Sequence, residues 1–185
     1  MPRFDIDAFR ANFQGGARQY LFYYKPLFPT SVGSGGDVDK STFLVRSTGV
    51  PSQNVEEIPL NWQGMDYKIP GKYTYDDFTV TFYMDLDVKI HQLFMTWQRM
   101  IHDPTTNIYS LPGAILADQQ LELLGLDGNP ISKYKLVGAW PKVIGNITLD
   151  YTANEPQYFD VTFAYIYYVR IKCLMEIIHS FRVSI

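Results

Sequence analysis

From Phe78 to Met84 every second residue is large and apolar: Phe78, Val80, Phe82 and Met84 alternate with Thr79, Thr81 and Tyr83. A period of two fits a strand that buries one face, whereas a helix would scatter these side chains around its axis. The same period recurs upstream. Ile58, Leu60 and Trp62 share a face opposite Glu57, Pro59 and Asn61, Gln63-Gly64 reverses the chain, and Met65, Tyr67 and Ile69 share a face opposite Asp66 and Lys68. This is the pattern of a hairpin. Pro59 and Pro70 lack the ladder donor, so both belong at edges or strand ends.

The rest of the chain fits a mainly β reading. Residues 19–28 give a strand ending near Lys25, broken by Pro26 and Pro29. The stretch 30–41, TSVGSGGDVDKS, reads as a flexible tip, and TFLVRS after it resumes a strand, so the two strands are expected to form a hairpin. Residues 119–141 read as two strands around a reversal at Asp127-Gly128-Asn129-Pro130, the second ending near Trp140. Ile147, Leu149 and Tyr151 alternate with polar residues, TANEP turns, and 158–169 alternates again. That predicts a hairpin over 142–169 with one arm of roughly 40 Å at about 3.3 Å per residue. One helix is expected, capped by Asp85 or Asp87 and running to about Asp103, with Leu86, Ile90, Leu93, Phe94, Trp97, Met100 and Ile101 as its apolar stripe.

Most chemistry is excluded by the residues themselves. Lys40-Ser41 follows glycines as in a phosphate loop, but Asp39 stands where the glycine before the lysine is required, and its carboxylate would repel phosphate. Asp76 and Asp77 are neighbours on a strand and point to opposite faces. His91, His102 and His179 have no metal-ligand spacing, and no nucleophile elbow is present. The single Cys173 allows neither an internal disulfide nor a cysteine zinc site. No catalytic residue, metal or cofactor is expected. With 16 basic against 19 acidic residues the formal charge is −3, the wrong sign for a tight nucleic-acid binder. No apolar run reaches the 18 residues of a membrane span, and the start does not read as a signal peptide, so no membrane partner is expected. The 14 Tyr and 12 Phe supply more amphipathic aromatic area than one small core uses, which favours an assembling surface.

Three segments, in order, resemble the tail tube proteins of contractile-tailed bacteriophages. They are TGVPSQNVEEIPLNWQGMDYKIPGKYTYDDFTVTFYMD, the helix around FMTWQ, and GAWPKVIGNITLDYTANEPQYFDVTFAYIYY. The resemblance spans residues 19–169, and it implies an antiparallel β-sandwich or barrel with one flanking α-helix and long hairpins, the phage tail-tube fold. Residues 1–18 are then an N-terminal segment. Residues 170–185 are a C-terminal extension, with Ile171, Leu174, Met175, Ile178 and Phe181 at near-helical spacing. The loop 30–41 and this extension depart from the family pattern and inherit no role.

The resemblance further implies a structural subunit of the virion tail, assembled in the host cytoplasm, that forms hexameric rings stacked into a hollow tube. Each ring would join strands of its six subunits in one inner barrel, removing free edges. The implied partners are other copies, the sheath protein, the baseplate, the tail terminator and a tape-measure protein in the lumen, with DNA passing transiently on its way into the host. Within that expectation Trp62, Tyr67 and Tyr158 are candidate subunit-interface anchors, and Glu57 and Asn61 are candidate lumen-facing residues. The tube of a type VI or pyocin-like injection system, or a baseplate tube initiator, is the nearest alternative. A β-barrel ligand-binding module that does not assemble is the alternative from another class.

Overall fold

The computed structural model describes residues 5–13, 15–33 and 36–172. In chain order the elements are α1 (Ile6–Phe13), β1 (Phe22–Lys25), α2 (Gly36–Phe43), β2 (Val45–Thr48), β3 (Gln53–Trp62), β4 (Met65–Tyr75), β5 (Phe78–Tyr83), α3 (Lys89–Ile101), β6 (His102–Asp103), β7 (Ile108–Tyr109), α4 (Pro112–Ile115), β8 (Ala117–Leu124), β9 (Pro130–Ile144), β10 (Tyr158–Ala164) and β11 (Tyr167–Lys172). Strands β1-β8-β9-β10-β5-β2 form one antiparallel sheet in that order, and β11 pairs with β9 as well. The mainly β, antiparallel expectation holds.

Fifteen-residue β9 organises the sheet. Its first part, 132–137, pairs with β11, and its last part, 140–144, pairs with β10. Gly138 lies between, at a φ of 65°, and a Cβ there would come within 2.7 Å of Ile166 Cδ1. The backbone N–H of Gly138 donates to Asp118 Oδ1 at 3.1 Å, and the β8 register shifts beside that contact. A glycine bulge fixed by a carboxylate therefore marks where β9 changes partner.

The alternation that opened the sequence reading is the core. Phe78, Val80 and Phe82 of β5 and Phe159, Val161 and Phe163 of β10 are buried side by side, with Tyr24, Leu121 and Leu136 from the neighbouring strands. Ile90, Phe94 and Trp97, spaced i, i+4, i+7, turn one face of α3 onto them. The Phe94 ring lies 5.2 Å from Phe82 and 6.0 Å from Phe163. The Trp97 indole N–H donates to the Ile115 carbonyl at 2.7 Å, so its one polar atom is satisfied as expected for a core tryptophan.

Local readings are corrected in six places. Residues 36–41 of the supposed flexible tip, with Thr42 and Phe43 of the expected strand, form α2, because Ser41 is buried and the element packs on α3 and β1; packing outweighs the glycine-rich composition. β1 and β2 are not a hairpin, since β1 pairs with β8 and β2 with β5. Neither Asp85 nor Asp87 caps α3. The N-cap is Val88 at φ 55° with no side-chain cap bond, Leu86 before it is fully exposed, and the helix stops at Ile101 where β6 and β7 begin a small hairpin. Residues 147–151 are not a strand: Gly145 N–H to Asp160 carbonyl at 2.6 Å continues the β9–β10 pairing, after which Asp150 accepts from the Thr152 N–H and hydroxyl and turns the chain. The long arm 158–169 is two strands, β10 and β11, separated at 165–166 opposite the Gly138 bulge. Of the extension 170–185, residues 170–172 belong to strand β11 and not to a helix, and 173–185 lie outside the described residues.

Candidate functional site: the assembly surfaces

β3 and β4 pair only with each other among the described residues. Every residue of β3 is exposed, and β4 is exposed from Met65 to Pro70. The register sets Ile58 opposite Ile69, Leu60 opposite Tyr67 and Trp62 opposite Met65, with Gln63 and Gly64 at positive φ in the turn. The two expected faces are thus the faces of this ribbon. Pro59 and Pro70 are tolerated because each strand of a two-stranded ribbon has a free edge.

Six apolar side chains on one face of the ribbon, with Trp62 72% and Tyr67 66% exposed, form a surface that no other described residue covers. The opposite face carries Glu57, Pro59, Asn61, Asp66, Lys68 and Pro70. There Lys68 Nζ donates to both Glu57 oxygens at 2.9 Å, and Asn61 Nδ2 donates to Asp66 Oδ1 at 3.2 Å. Two carboxylates against one ammonium leave that face mildly acidic.

The base of the ribbon is tied down. Asp76 accepts from Ser52 Oγ at 2.7 Å and from Asn54 Nδ2 at 2.9 Å, while Tyr165 donates to the Ser52 carbonyl at 3.3 Å. Burial, then the neighbouring Tyr168 and Asp76, pushes the Tyr165 hydroxyl up to about 12, which keeps it a neutral donor. The Tyr75 ring stands 5.9 Å from Tyr165 and 5.8 Å from Tyr168. Asp77 points away and pairs with Lys142 Nζ at 2.7 Å. The two adjacent aspartates diverge as expected, although they lie between β4 and β5 and not within a strand.

Tyr158 belongs to a different surface. It opens β10 opposite Tyr83, it is 43% exposed, and the Arg46 guanidinium covers its ring at 4.2 Å. The structure therefore brings Trp62 and Tyr67 together and leaves Tyr158 apart from them. Sequence reasoning missed Arg46, Ser52 and Asn54, and found in Asp76 only its divergence from Asp77, because each acts through a residue distant in the chain. The outer face of β5 and β10 carries hydroxyls: Thr79 and Thr162 share a hydrogen bond of 3.1 Å, and Thr81 donates to Asp160 at 2.7 Å. On the β8–β9 pair, Glu122–Lys133 and Asp118–Lys135 ion pairs at 2.8 Å cross between the strands. Among the described residues no group of three or more His, Cys, Asp or Glu is placed to hold a metal.

The model of the phage tail tube protein family matches residues 25–171. The tail tube protein of Serratia phage KSP90 is 28% identical over 142 residues, covering 76% of this chain and 80% of that protein. The tail tube protein of Enterobacteria phage T4 is 29% identical over 130 residues, covering 69% of this chain and 80% of that protein. In fold, the chain superposes with a TM-score of 0.63 on a chain of the anti-feeding prophage baseplate, at 12% identity, covering 84% of this chain and 95% of that one.

Proposed function

The chain belongs to the phage tail tube protein family, whose members are structural subunits and not enzymes, and on that premise we propose that six copies close into a ring and that rings stack into a hollow tube. The observation that carries this reading is the uncovered ribbon. A hairpin with Ile58, Leu60, Trp62, Met65, Tyr67 and Ile69 exposed on one face is a poor solution for a lone subunit and a good one for a subunit that lends the hairpin to a neighbour. Trp62 and Tyr67 are the anchors of that contact, and Tyr158 anchors a second one.

Glu57 and Asn61 lie on the other ribbon face, which turns to the lumen. Their lysine and aspartate neighbours leave it mildly acidic, suiting a conduit through which DNA passes without being held by basic side chains. Assembly takes place in the host cytoplasm, the product is the tube of the virion tail, and the sheath, baseplate, terminator and tape-measure proteins are its partners. The tube of a related contractile injection system is the second reading, favoured by the fold match to the anti-feeding prophage. The phage reading is preferred because the 28–29% identical relatives are phage proteins, whereas the injection-system likeness is one of fold.

Negative-stain imaging of the purified chain tests the proposal. Six-fold rings or hollow tubes are expected at high concentration, and a stable monomer there overturns it.

A further inference from the structure

We propose that the turn joining β8 to β9 is built to keep Asp127-Gly128, the one Asp-Gly pair in the sequence, from isomerising to isoaspartate. The pair is a modification site of the subunit itself, independent of assembly.

Asp-Gly is the aspartyl pair most prone to this reaction, because glycine has no Cβ to shield the attacking nitrogen. The Gly128 nitrogen adds to the Asp127 carboxyl carbon and gives up its proton, while one carboxyl oxygen leaves as water and a cyclic imide closes. Water then opens the ring at either carbonyl, which returns aspartate or leaves the main chain running through the side-chain carbon. Nothing is oxidised or reduced, and the water lost is regained. Asp127, Gly128 and Asn129 are all exposed, so burial gives the pair no protection.

Hydrogen bonds hold the reacting atoms instead. The Gly128 N–H donates to the Gly125 carbonyl at 3.0 Å, which engages the proton that the nucleophile must lose. Asp127 Oδ1 accepts from the Asn129 N–H at 3.2 Å, and Oδ2 accepts from Asn129 Nδ2 at 2.7 Å, so each carboxyl oxygen has a partner. The same two bonds, the side-chain one first, hold the carboxyl below its ordinary value of 3.8, and an ionised carboxylate has no hydroxyl to expel.

Gly125 completes the arrangement. A Cβ there would stand 2.6 Å from Asp127 Oδ1, in the place the carboxylate occupies, whereas a Cβ at Gly128 would meet nothing within 4 Å. At Gly128 the φ of 76° calls for glycine, so the turn requires the reactive pair for its shape and quiets it through Gly125 and Asn129. What isomerisation would damage is register. The Gly125 N–H donates to the Asn129 carbonyl at 2.8 Å and closes the hairpin, with Leu123 opposite Ser132. An isoaspartate lengthens the main chain by one carbon inside that loop and offsets β9, on which both β10 and β11 pair.

The test measures isoaspartate at position 127 by fragmentation mass spectrometry, in chains kept for weeks at neutral pH, folded or unfolded in guanidinium chloride. The folded chain is expected to isomerise roughly tenfold more slowly than the unfolded one, the factor implied by breaking one or two ordinary hydrogen bonds before ring closure. Asn129→Ala removes the side-chain bond, and Gly125→Ala displaces the carboxylate; circular dichroism confirms that each folds. Each folded variant is expected to isomerise several-fold faster than the folded unaltered chain, with all three alike in guanidinium chloride. Equal rates in the folded and unfolded unaltered chain overturn the proposal. Folded variants as slow as the unaltered chain overturn it too, because the groups around the carboxylate would then contribute no protection.

Discussion

The Tyr24 hydroxyl donates to the Gln119 side-chain carbonyl at 2.8 Å, and both residues are fully buried. The same oxygen accepts from the Leu27 N–H at 3.1 Å, and Gln119 Nε2 donates to the Leu27 carbonyl at 2.7 Å. One amide thus fastens β1 and the chain after it to β8. Burial pushes the Tyr24 hydroxyl well above the usual tyrosine range, so it is a neutral donor at neutral pH.

Gln119→Leu leaves three polar groups without this partner, at about 1 kcal/mol or more each, so a loss of about 2–4 kcal/mol is expected. Tyr24→Phe leaves Gln119 bonded to Leu27 and costs only about 1 kcal/mol. Urea unfolding, in a background carrying Trp62→Asp to suppress assembly, measures both. Equal losses would show that the amide is not the hub.

Gly138 combines a φ of 65° with a Cβ position already occupied by Ile166. Gly138→Ala is expected to cost about 1–3 kcal/mol from backbone strain, and more from the clash. Adding Ile166→Ala relieves the clash and leaves the strain, so the double variant should lose less than the sum of the two single losses. Strict additivity in urea titrations would remove the contact from the account.

The Asp118 carboxyl is held below its ordinary value of 3.8 chiefly by its hydrogen bond from Lys135, with the Gly138 N–H adding to it. A carboxyl depressed on folding contributes fully above 3.8 and loses that contribution as pH falls through its lower folded value. Lys135 is raised above 10.5 by the same partner, so its contribution is complete below 10.5 and fades as pH rises through the folded value. The pair is over a third exposed, and solvent screening keeps its contribution small. Asp118→Asn should lower stability at pH 7, and the gap from the unaltered chain should close as pH falls below 3.8 and through the lower folded value. A gap independent of pH would assign the loss to the Gly138 hydrogen bond alone.

Elements whose partner is near in sequence were legible in it. The ribbon 53–75, its two faces and its turn follow from alternation and Gln63-Gly64, and the α3 stripe follows from helical spacing. What failed depended on distant partners. Alternation in 147–151 resembles a strand, but β10 finds its neighbours in β5 and β9, leaving that segment no ladder to join. Helix α2 arises where Ser41 is buried against tertiary neighbours that no local window contains.

Asp76 shows how a local observation can be right and incomplete. Its divergence from Asp77 excludes a carboxylate pair, while its bonds to Ser52 and Asn54 close the ribbon base. Asp76→Ala removes both bonds without touching the core. Global stability should therefore fall by no more than about 1–2 kcal/mol, since the groups released are solvent-exposed. Hydrogen exchange of amides in β3 and β4 should rise at least tenfold while those of β5 and β10 stay protected. A ribbon no longer held at its base must be ordered on docking, so tube growth should slow in proportion to the loss of ribbon protection. Faster exchange with unchanged growth would show that the docking partner, and not Asp76, orders the ribbon.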